Sequence, residues 1–357
     1  MEHPRLVQID LLKGLAIISV VATHTFAVSQ MVTGYANLYL WQAIPLFIII
    51  MAFNAGNSFT RRGDTTLRGL FSLSYFARRF DRIVYPLLLI GLFEVVVMTL
   101  FPAVVRNEPL AITPALFLGW LPLNAPGNYF VSIALQFIVL FPLLYYCYKR
   151  APRATLVGCF AVNVAFEFAA PFIIAHYGLF WYTTTILRYL SAIGLGLWIT
   201  DGASVLLKRN WFIVPGAAFS FAYLVASDVA RTSVISYFEP YWFTHNVASF
   251  FYPLLLVMLG LKFLPRTARG AAAAVARCGQ LSYHIFLVQL VYFAVVPMSW
   301  IIWTLYHVHY NVFLGLLLGV NVVACCALGM GFARLEIGSK TLLRKAARLL
   351  AAKKARQ

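Results

Sequence analysis

Three ionisable side chains near the start of the chain are spaced so that they could act together. Lys13 and His24 are eleven residues apart in an apolar run, and Asp10 precedes Lys13 by three residues. At about 3.6 residues per helical turn, this spacing sets all three on one face and places His24 about 16 Å beyond Lys13. An imidazole titrates near neutrality and can take a proton from an attacking hydroxyl. We therefore predict that His24 is a general base, with Asp10 and Lys13 as further catalytic candidates.

Each of these residues also has an interpretation that involves no chemistry. Asp10 and Lys13 stand at positions i and i+3 and could form an ordinary ion pair at the membrane interface. His24 could donate a hydrogen bond between two helices without reacting. Both alternatives stay open on the sequence alone, because spacing fixes a shared face and not what that face contacts.

The helix that would hold these residues belongs to a very apolar chain. Hydrophobic residues make up 62% of the 357 residues and charged residues 11%, whereas soluble domains are about half apolar and about a quarter charged. A bilayer span needs about 20 mostly apolar residues. Such stretches occur at about 9–30, 38–59, 82–102, 129–148, 154–172, 180–200, 211–228, 245–264, 279–298 and 311–333. We predict an all-α, polytopic membrane helical bundle with about ten transmembrane helices.

The formal net charge of +17 is concentrated in alternate loops between these spans. The loops on one side carry nearly all of the Lys and Arg residues, and the loops on the other side carry only Arg106 and Arg231. Positively charged loops stay in the cytoplasm during insertion. We therefore expect a multi-pass protein of the cell inner (plasma) membrane, with both termini in the cytoplasm and no nucleic-acid partner.

The rest of the chain gives no sign of a second folded domain. We expect residues 1–335 to form one transmembrane domain and residues 336–357 a basic cytoplasmic tail, either an interfacial helix on anionic lipid or a frayed end. The first apolar run lacks a small-residue cleavage site, so we expect it to stay in the mature protein. The five cysteines lie in or beside spans without metal-ligand spacing, which predicts no disulfide and no metal site.

A few charged groups lie deep in the predicted spans, where ionisable residues are costly and usually functional. Glu94 lies near the middle of its span, as His24 does, so we include Glu94 among the catalytic candidates. Glu167 and Arg188 lie at mid-span or somewhat further out. We expect Arg188 to form a structural ion pair with Glu94 or Glu167, because an unpaired arginine at that depth is strongly destabilising.

Five short motifs, in order along the chain, resemble those of acyltransferase family 3, a group of membrane-bound O-acyltransferases. They are Ile9–Ala16 followed by His24, Ile44–Phe47, Arg78–Pro86, Gly127–Phe130 and Leu281–Leu287. The first is similar to the family's D-x-x-R-G-x-A with its R-x10-H spacing, the third to R-x-x-R-I-x-P and the fifth to S-Y-x-I-Y-L. The resemblance spans almost the whole chain and implies an enzyme that acylates extracytoplasmic glycans or lipids.

The resemblance also implies roles for particular residues. Acyl-CoA would be the donor and would enter from the cytoplasm, with His24 as the catalytic base. Arg79 and Arg82 match the R-x-x-R arginines and would bind the CoA phosphates, with Arg78 beside them. A guanidinium suits that role because it presents a planar fork of hydrogen-bond donors to phosphate.

Lys13 and the hydroxyls of Ser282 and Tyr283 are candidates for binding the donor on the oxyanion or thiolate side of the reaction. The chain departs from the family's pattern at three places. Lys13 replaces the usual arginine, which keeps the charge but loses the bidentate geometry. Met51–Ala52 stands where a Ser-Gly pair is usual, and Gln289 stands where a histidine is common. We expect the last two to leave the core reaction unchanged, and they are consistent with a subgroup that has a different acceptor.

We therefore predict a membrane O-acyltransferase, most simply an O-acetyltransferase, that uses acetyl-CoA or another acyl-CoA to acylate an extracytoplasmic or lipid-linked glycan such as an exopolysaccharide. A thioester is already activated, so direct transfer needs a base, a positioned donor and an oxyanion stabiliser. The alternatives are a transporter or flippase of a lipid-linked sugar and an inactive acyl-CoA sensor. Membrane lipids are expected partners, and the sequence sets neither the oligomeric state nor the acceptor.

Overall fold

The computed structural model of the chain describes residues 6–105, 114–123, 125, 127–201, 212–229, 244–296 and 309–354. Every regular element within these ranges is a helix, which confirms the all-α fold class. The α-helices are α1 (Val7–Thr25), α2 (Val28–Thr33), α3 (Ala43–Arg62), α4 (Leu67–Leu70), α5 (Leu73–Arg79), α6 (Tyr85–Leu100), α7 (Tyr129–Arg150), α8 (Pro152–Tyr177), α9 (Leu179–Thr184), α10 (Leu190–Trp198), α11 (Ile213–Leu224), α12 (Phe251–Phe263), α13 (Ala271–Gln280), α14 (Ser282–Val295) and α15 (Tyr310–Lys354). π-helical turns lie at Phe80–Val84 and Val225–Val229.

The helices differ in whether they are long enough to cross a bilayer. Six stretches are long and apolar enough: Val7–Thr25, Ala36–Arg62, Leu67–Leu100, Tyr129–Arg150, Pro152–Tyr177 and Val312–Ala351. A seventh span is present if α13 and α14 are counted as one. The other three predicted spans hold shorter apolar helices, Ile186–Trp198, Ile213–Ser227 and Phe251–Phe263. The predicted count of about ten spans is therefore not confirmed within the described residues.

The hydrophobic core runs through α1, α3, α7, α10 and α14. Each of these helices contributes a side chain that is at most 1% exposed: Ile17, Ile49, Ile133, Ile193 and Leu287. Large apolar side chains also cover the outer surface of other helices, as on α6 with Leu88, Leu92, Phe93, Val96 and Leu100. An extended exposed apolar surface is typical of a protein that contacts lipid. The bundle thus has an interior that packs like a core and an exterior that suits a bilayer.

Helix α1 lies inside the bundle, in contact with α3, α12, α13, α14 and α15. Its approach to α13 is through glycines on both helices. A Cβ atom at Gly14 would collide with the carbonyl oxygen of Val275, and a Cβ atom at Gly279 would collide with the carbonyl oxygen of Asp10. Small residues let helix backbones approach closely in membranes. This close approach holds the backbone of Asp10, and with it the start of the predicted catalytic face, against α13.

Helices α13 and α14 are bent by 79° relative to each other. The bend falls at Leu281, the single residue between the two helices. Ser282 and Tyr283 therefore open the first turn of α14, directly after the bend. Because α13 packs against the first turns of α1, the bend brings these two hydroxyl side chains to the end of the bundle where α1 begins.

The last described helix, α15, extends for 45 residues without a break. At a rise of about 1.5 Å per residue it is about 65 Å long, roughly twice the thickness of a bilayer core. The boundary predicted after residue 335 falls inside this helix. Beyond it, Leu342, Leu343, Leu349 and Leu350 are all more than half exposed. The segment predicted as a tail is therefore helical up to Lys354, and residues 355–357 lie outside the described residues.

Candidate active site

A large cavity lies at the end of the bundle where α3 ends and the π-helical turn Phe80–Val84 begins. Its volume is about 1320 Å³, and α1, α3, α5, α7, α12, α13, α14 and α15 contribute to its walls. Seven of the nine predicted site residues line it: Asp10, Lys13, Arg78, Arg79, Arg82, Ser282 and Tyr283. His24 and Glu94 are not among the lining residues that the structure describes. We call this space the basic cavity.

The lining of the basic cavity carries more positive than negative side chains. Five cationic residues join the predicted ones: Arg61, Arg62, Lys262, Arg266 and Lys340. The acidic lining residues are Asp10, Asp81 and Glu336. From the sequence, the five additional cations counted only toward topology. The signal that could have found them is that basic loops on one side of a membrane must meet at one end of the bundle.

Arg62 is held in place by contacts within α3. Its Nε donates a hydrogen bond to the Ser58 carbonyl at 3.3 Å, and its Cζ lies 4.5 Å from the centroid of the Phe59 ring. Its Nη1 is buried and has no hydrogen-bond partner among the described residues. A buried donor without a partner is destabilising. Arg62 therefore has a free hydrogen-bond donor for an anionic ligand.

The R-x-x-R run spans the end of α5 and the π-helical turn that leads into α6. Such turns are rare and occur frequently at functional sites. The Cζ atom of Arg79 lies 5.3 Å from the centroid of the Tyr75 ring, and the Tyr75 hydroxyl donates to the Ile138 carbonyl at 2.9 Å. This contact orients Arg79 against the cavity wall, whereas the other two arginines of the run are exposed.

Ion pairs connect α15 to the π-helical turn beside the basic cavity. The Nζ atom of Lys340 lies 2.8 Å from Oδ1 of Asp81 and 2.5 Å from Oε1 of Glu336. The other oxygen of Glu336 contacts Nε2 of His284 on α14. All four residues line the cavity. Helix α15 thus completes one wall of the basic cavity through residues that the sequence had placed in the tail.

Aromatic side chains line the basic cavity at the start of α7 and one turn beyond Tyr283 on α14, and we call this part its aromatic end. The ring centroid of Phe130 lies 5.2 Å from that of Phe286 and 6.3 Å from that of Phe47. Tyr283, on the same helix as Phe286, donates its hydroxyl to the Ile83 carbonyl at 2.9 Å. The cavity therefore combines a charged end with an apolar end, and the Tyr283 hydroxyl is already bonded to the backbone.

His24 lies in the last turn of α1, beyond the aromatic end of the cavity. Its ring centroid is 5.7 Å from that of Phe293. A Cβ atom at Gly127 would lie 3.4 Å from Nε2 of His24, 3.6 Å from Leu290 and 3.9 Å from Nε2 of Gln289. We call this group of five residues the His24 pocket. It is built from α1, α14 and the loop that precedes α7.

The polar side chains of the His24 pocket are an imidazole and an amide. Gln289 is 0% exposed, and neither its Oε1 nor its Nε2 has a hydrogen-bond partner among the described residues. Gly127 has a φ of 92°, a backbone conformation that favours glycine. From the sequence, Gly127 was only part of a motif and Gln289 only a departure from it. Their proximity to His24 depends on tertiary packing.

Glu94 supports the loop that carries Gly127. Its carboxylate is 0% exposed, and Oε2 accepts a hydrogen bond from the Leu123 N–H at 3.0 Å. The Asn128 side chain bonds both the N–H and the carbonyl of Leu121 at 3.1 Å. Together the two side chains hold Leu121 and Leu123 in place, shortly before Gly127. Glu94 is thus positioned to fix Gly127 beside His24, and it does not line the basic cavity.

Arg188 and Glu167, the other deep charged residues, are linked through aromatic side chains. The Cζ atom of Arg188 lies 4.6 Å from the centroid of the Tyr182 ring, and the Tyr182 hydroxyl donates to Oε2 of Glu167 at 2.9 Å. The Nε of Arg188 donates to the His245 carbonyl at 2.9 Å. The cluster joins α8, α9 and the segment before α12. These contacts suit a structural role in packing those elements.

The family of the chain follows from its match to known sequences. The acyltransferase domain model of acyltransferase family 3 matches residues 6–330. The chain belongs to acyltransferase family 3. The resemblance drawn from the five motifs is confirmed, and the protein is a multi-pass membrane acyltransferase. No curated protein and no solved structure matches the chain. The matched region of this acyltransferase includes all of the His24 pocket and ends before Glu336 and Lys340.

Proposed function

We propose that this acyltransferase transfers an acyl group, most simply acetyl, from cytoplasmic acyl-CoA to a hydroxyl of an extracytoplasmic or lipid-linked glycan. The observation that supports it best is the basic cavity, which has a cationic end, an aromatic end and a histidine just beyond the aromatic end. That order matches the donor, which has phosphates at one end, a neutral arm and a thioester at the other end.

The cationic end suits the nucleotide part of the donor. Nine cationic side chains line the cavity against three acidic ones. Such an excess of one sign raises the local concentration of a multiply charged anion. Arg79 is held against Tyr75, and Arg62 has an unpartnered guanidinium nitrogen within the described residues. Planar guanidinium groups bind phosphate oxygens through two parallel hydrogen bonds.

The orientation in the membrane follows from the same charges. Basic segments remain in the cytoplasm, so the cationic end of the cavity would face the cytoplasm, where acyl-CoA is made. The first turns of helix α1, with Asp10 and Lys13, lie at that end. His24 lies about 16 Å beyond Lys13 along the helix. The donor would then approach His24 from the cytoplasm and the acceptor from the opposite side of the inner membrane.

The chemistry needs one base and no covalent enzyme intermediate. Nε2 of His24 would take the proton of the acceptor hydroxyl as its oxygen attacks the thioester carbonyl carbon. The carbon–oxygen bond forms, the carbon–sulfur bond breaks, and the electron pair leaves with the CoA sulfur. The proton then passes from His24 to that thiolate. The products are the acylated acceptor and CoA.

Transfer by the purified protein tests the proposal. The protein is reconstituted into liposomes, acetyl-CoA labelled in the acetyl group is supplied to the face that carries Arg79 and Arg82, and glycan acceptor is supplied to the other face. We expect release of free CoA thiol and an equal amount of label on the glycan. Empty liposomes provide the control.

Three results would contradict the proposal or part of it. Movement of a lipid-linked glycan across the liposome membrane without release of CoA would favour the transporter alternative. Binding of acyl-CoA without transfer to any glycan or lipid hydroxyl would favour a sensor. Release of CoA only when donor is supplied to the opposite face would reverse the proposed orientation.

A further inference from the structure

Gln289 is a buried amide that no described residue satisfies. It is 0% exposed, and neither Oε1 nor Nε2 has a hydrogen-bond partner in the part of the chain that the structure describes. The great majority of buried side-chain polar atoms are hydrogen-bonded, so a wholly unpartnered amide needs an explanation. A leucine or methionine of similar volume would fill the same space without this cost. Packing alone therefore gives no reason for a glutamine at this position.

A second amide in the bundle shows what a structural glutamine looks like here. Gln136 donates from Nε2 to the Thr184 carbonyl at 2.6 Å and accepts at Oε1 from the Ile186 N–H at 3.0 Å. Both of its amide atoms thus join α7 to the segment between α9 and α10. Gln289 makes no such connection within the described residues.

The location of Gln289 supplies the missing explanation. The position of a Cβ atom on Gly127 is 3.4 Å from Nε2 of His24 and 3.9 Å from Nε2 of Gln289. Because residue 127 is glycine with a φ of 92°, it places no side chain between these two nitrogens. A small group held beside the Gly127 backbone would lie within reach of a base on one side and an amide donor on the other. This is the arrangement that acyl transfer requires around its reacting carbonyl.

We propose that Gln289 is a catalytic residue of the acyl transfer and donates a hydrogen bond from Nε2 to the thioester carbonyl oxygen as that oxygen becomes negatively charged. The proposal rests on the proposed function, because it needs an acyl-CoA donor and an attacking hydroxyl. When the new carbon–oxygen bond forms, the electron pair of the carbonyl moves onto this oxygen. It returns when the carbon–sulfur bond breaks and the pair leaves with the CoA sulfur.

The same geometry separates this role from those of the residues already considered. The Tyr283 hydroxyl is bonded to the Ile83 carbonyl, and Lys13 lies about 16 Å along α1 from His24. Gln289 lies in the His24 pocket itself, one helical turn beyond Phe286 on α14. Under this proposal, the departure from the family's pattern at this position falls at the reacting atoms.

Gln289→Leu tests the role because it keeps the approximate volume and removes the donor. Loss of one oxyanion hydrogen bond lowers kcat about 10² to 10³-fold. We expect that fall in kcat with the Kd for acetyl-CoA unchanged and with thermal stability equal to that of the parent or higher. Gln289→His keeps an N–H donor and should retain at least ten times the kcat of Gln289→Leu.

Gln136→Leu is the matched comparison, since the same change is made at an amide whose bonds are satisfied. We expect it to lower the thermal midpoint and to leave the kcat of the folded fraction near that of the parent. Gln289→Met repeats the test with a more flexible side chain if Gln289→Leu does not insert into the membrane.

The outcomes distinguish this proposal from the proposed function. A parent protein that transfers no acyl group from acyl-CoA would overturn both. A parent that transfers acyl groups, with a Gln289→Leu or Gln289→Met variant that works at the parental rate, would overturn only the assignment of Gln289. Loss of stability and of donor affinity in parallel with kcat, without recovery in Gln289→His, would assign Gln289 a structural role and equally overturn the proposal.

Discussion

The basic cavity and the His24 pocket lie next to each other but satisfy their polar groups in different ways. In the basic cavity, charged side chains are engaged with one another or with aromatic rings: Lys340 pairs with Asp81 and Glu336, and Arg79 lies against Tyr75. In the His24 pocket the polar side chains are an imidazole and an amide. The amide of Gln289 has no hydrogen-bond partner there among the described residues.

This difference corresponds to two tasks with different physical requirements. Binding a highly charged donor needs many fixed charges near water, where their interactions are individually modest. Stabilising charge that appears only in the transition state needs few dipoles in a dry site, where each contributes more. Substitutions in the two regions should therefore separate into losses of donor affinity and losses of rate.

The largest effect is expected at His24. His24→Ala removes the base, and we predict a fall of about 10² to 10⁴ in the rate of transfer. The Kd for acetyl-CoA should not change, because in the proposed mechanism the imidazole contacts the acceptor hydroxyl and not the nucleotide. Calorimetric titration with acetyl-CoA and an assay of CoA release measure the two quantities. A variant that is inserted normally and acylates glycan at the parental rate would favour the non-reacting interhelical histidine.

A smaller loss of rate is expected at Gly127. Gly127→Ala places a methyl group 3.4 Å from Nε2 of His24, in the space assigned to the reacting atoms. Displacing reacting atoms by about 1 Å can lower the rate about 10²-fold, and we expect a loss of that size with donor affinity retained. Gly178→Ala is the matched control, since Gly178 also has a φ of 90° but its Cβ atom would have no neighbour within 4 Å. Equal losses in both variants would assign the effect to backbone strain.

Donor affinity should fall when the arginines of the basic cavity are removed. A charge-assisted hydrogen bond contributes about 1.5–3 kcal/mol, so Arg79→Ala and Arg82→Ala should each raise the Kd for acetyl-CoA about tenfold or more. Turnover should recover at high donor concentration. Arg153→Ala, an exposed arginine of the same sign that does not line the cavity, should bind donor as the parent does. An unchanged Kd in Arg79→Ala, with the protein folded, would remove that residue from the donor site.

The smallest effect is expected at Lys13, where two substitutions distinguish a donor contact from an interfacial ion pair. Lys13→Arg restores the residue usual in the family and keeps the charge, so activity should stay within a few-fold of the parent. Lys13→Ala removes one charge-assisted contact, and we expect the KM for acetyl-CoA to rise about tenfold. If both variants match the parent, the ion pair with Asp10 is the better interpretation of this residue.

The sequence by itself determined the fold class, the family and seven of the residues that line the basic cavity. An apolar composition forces helices in a bilayer because only helices and closed barrels satisfy their own backbone there. The spacing of Asp10 and Lys13 and the R-x-x-R run are local patterns, and basic loops on one side must meet at one end. These facts need no knowledge of how distant helices pack.

Tertiary structure decided what surrounds His24 and how many helices are long enough to span a bilayer. Gly127, Gln289 and His24 come from a loop and two helices far apart in the chain, and Glu94 holds that loop through Leu123. Hydropathy alone treated Ile186–Trp198 as part of a full span. In the structure, a 3-10 segment at Ile186–Tyr189 separates α9 from α10 within that predicted span. The continuation of α15 to Lys340 at the cavity wall was also not visible. Each of these depends on contacts between residues remote in sequence, which local periodicity does not encode.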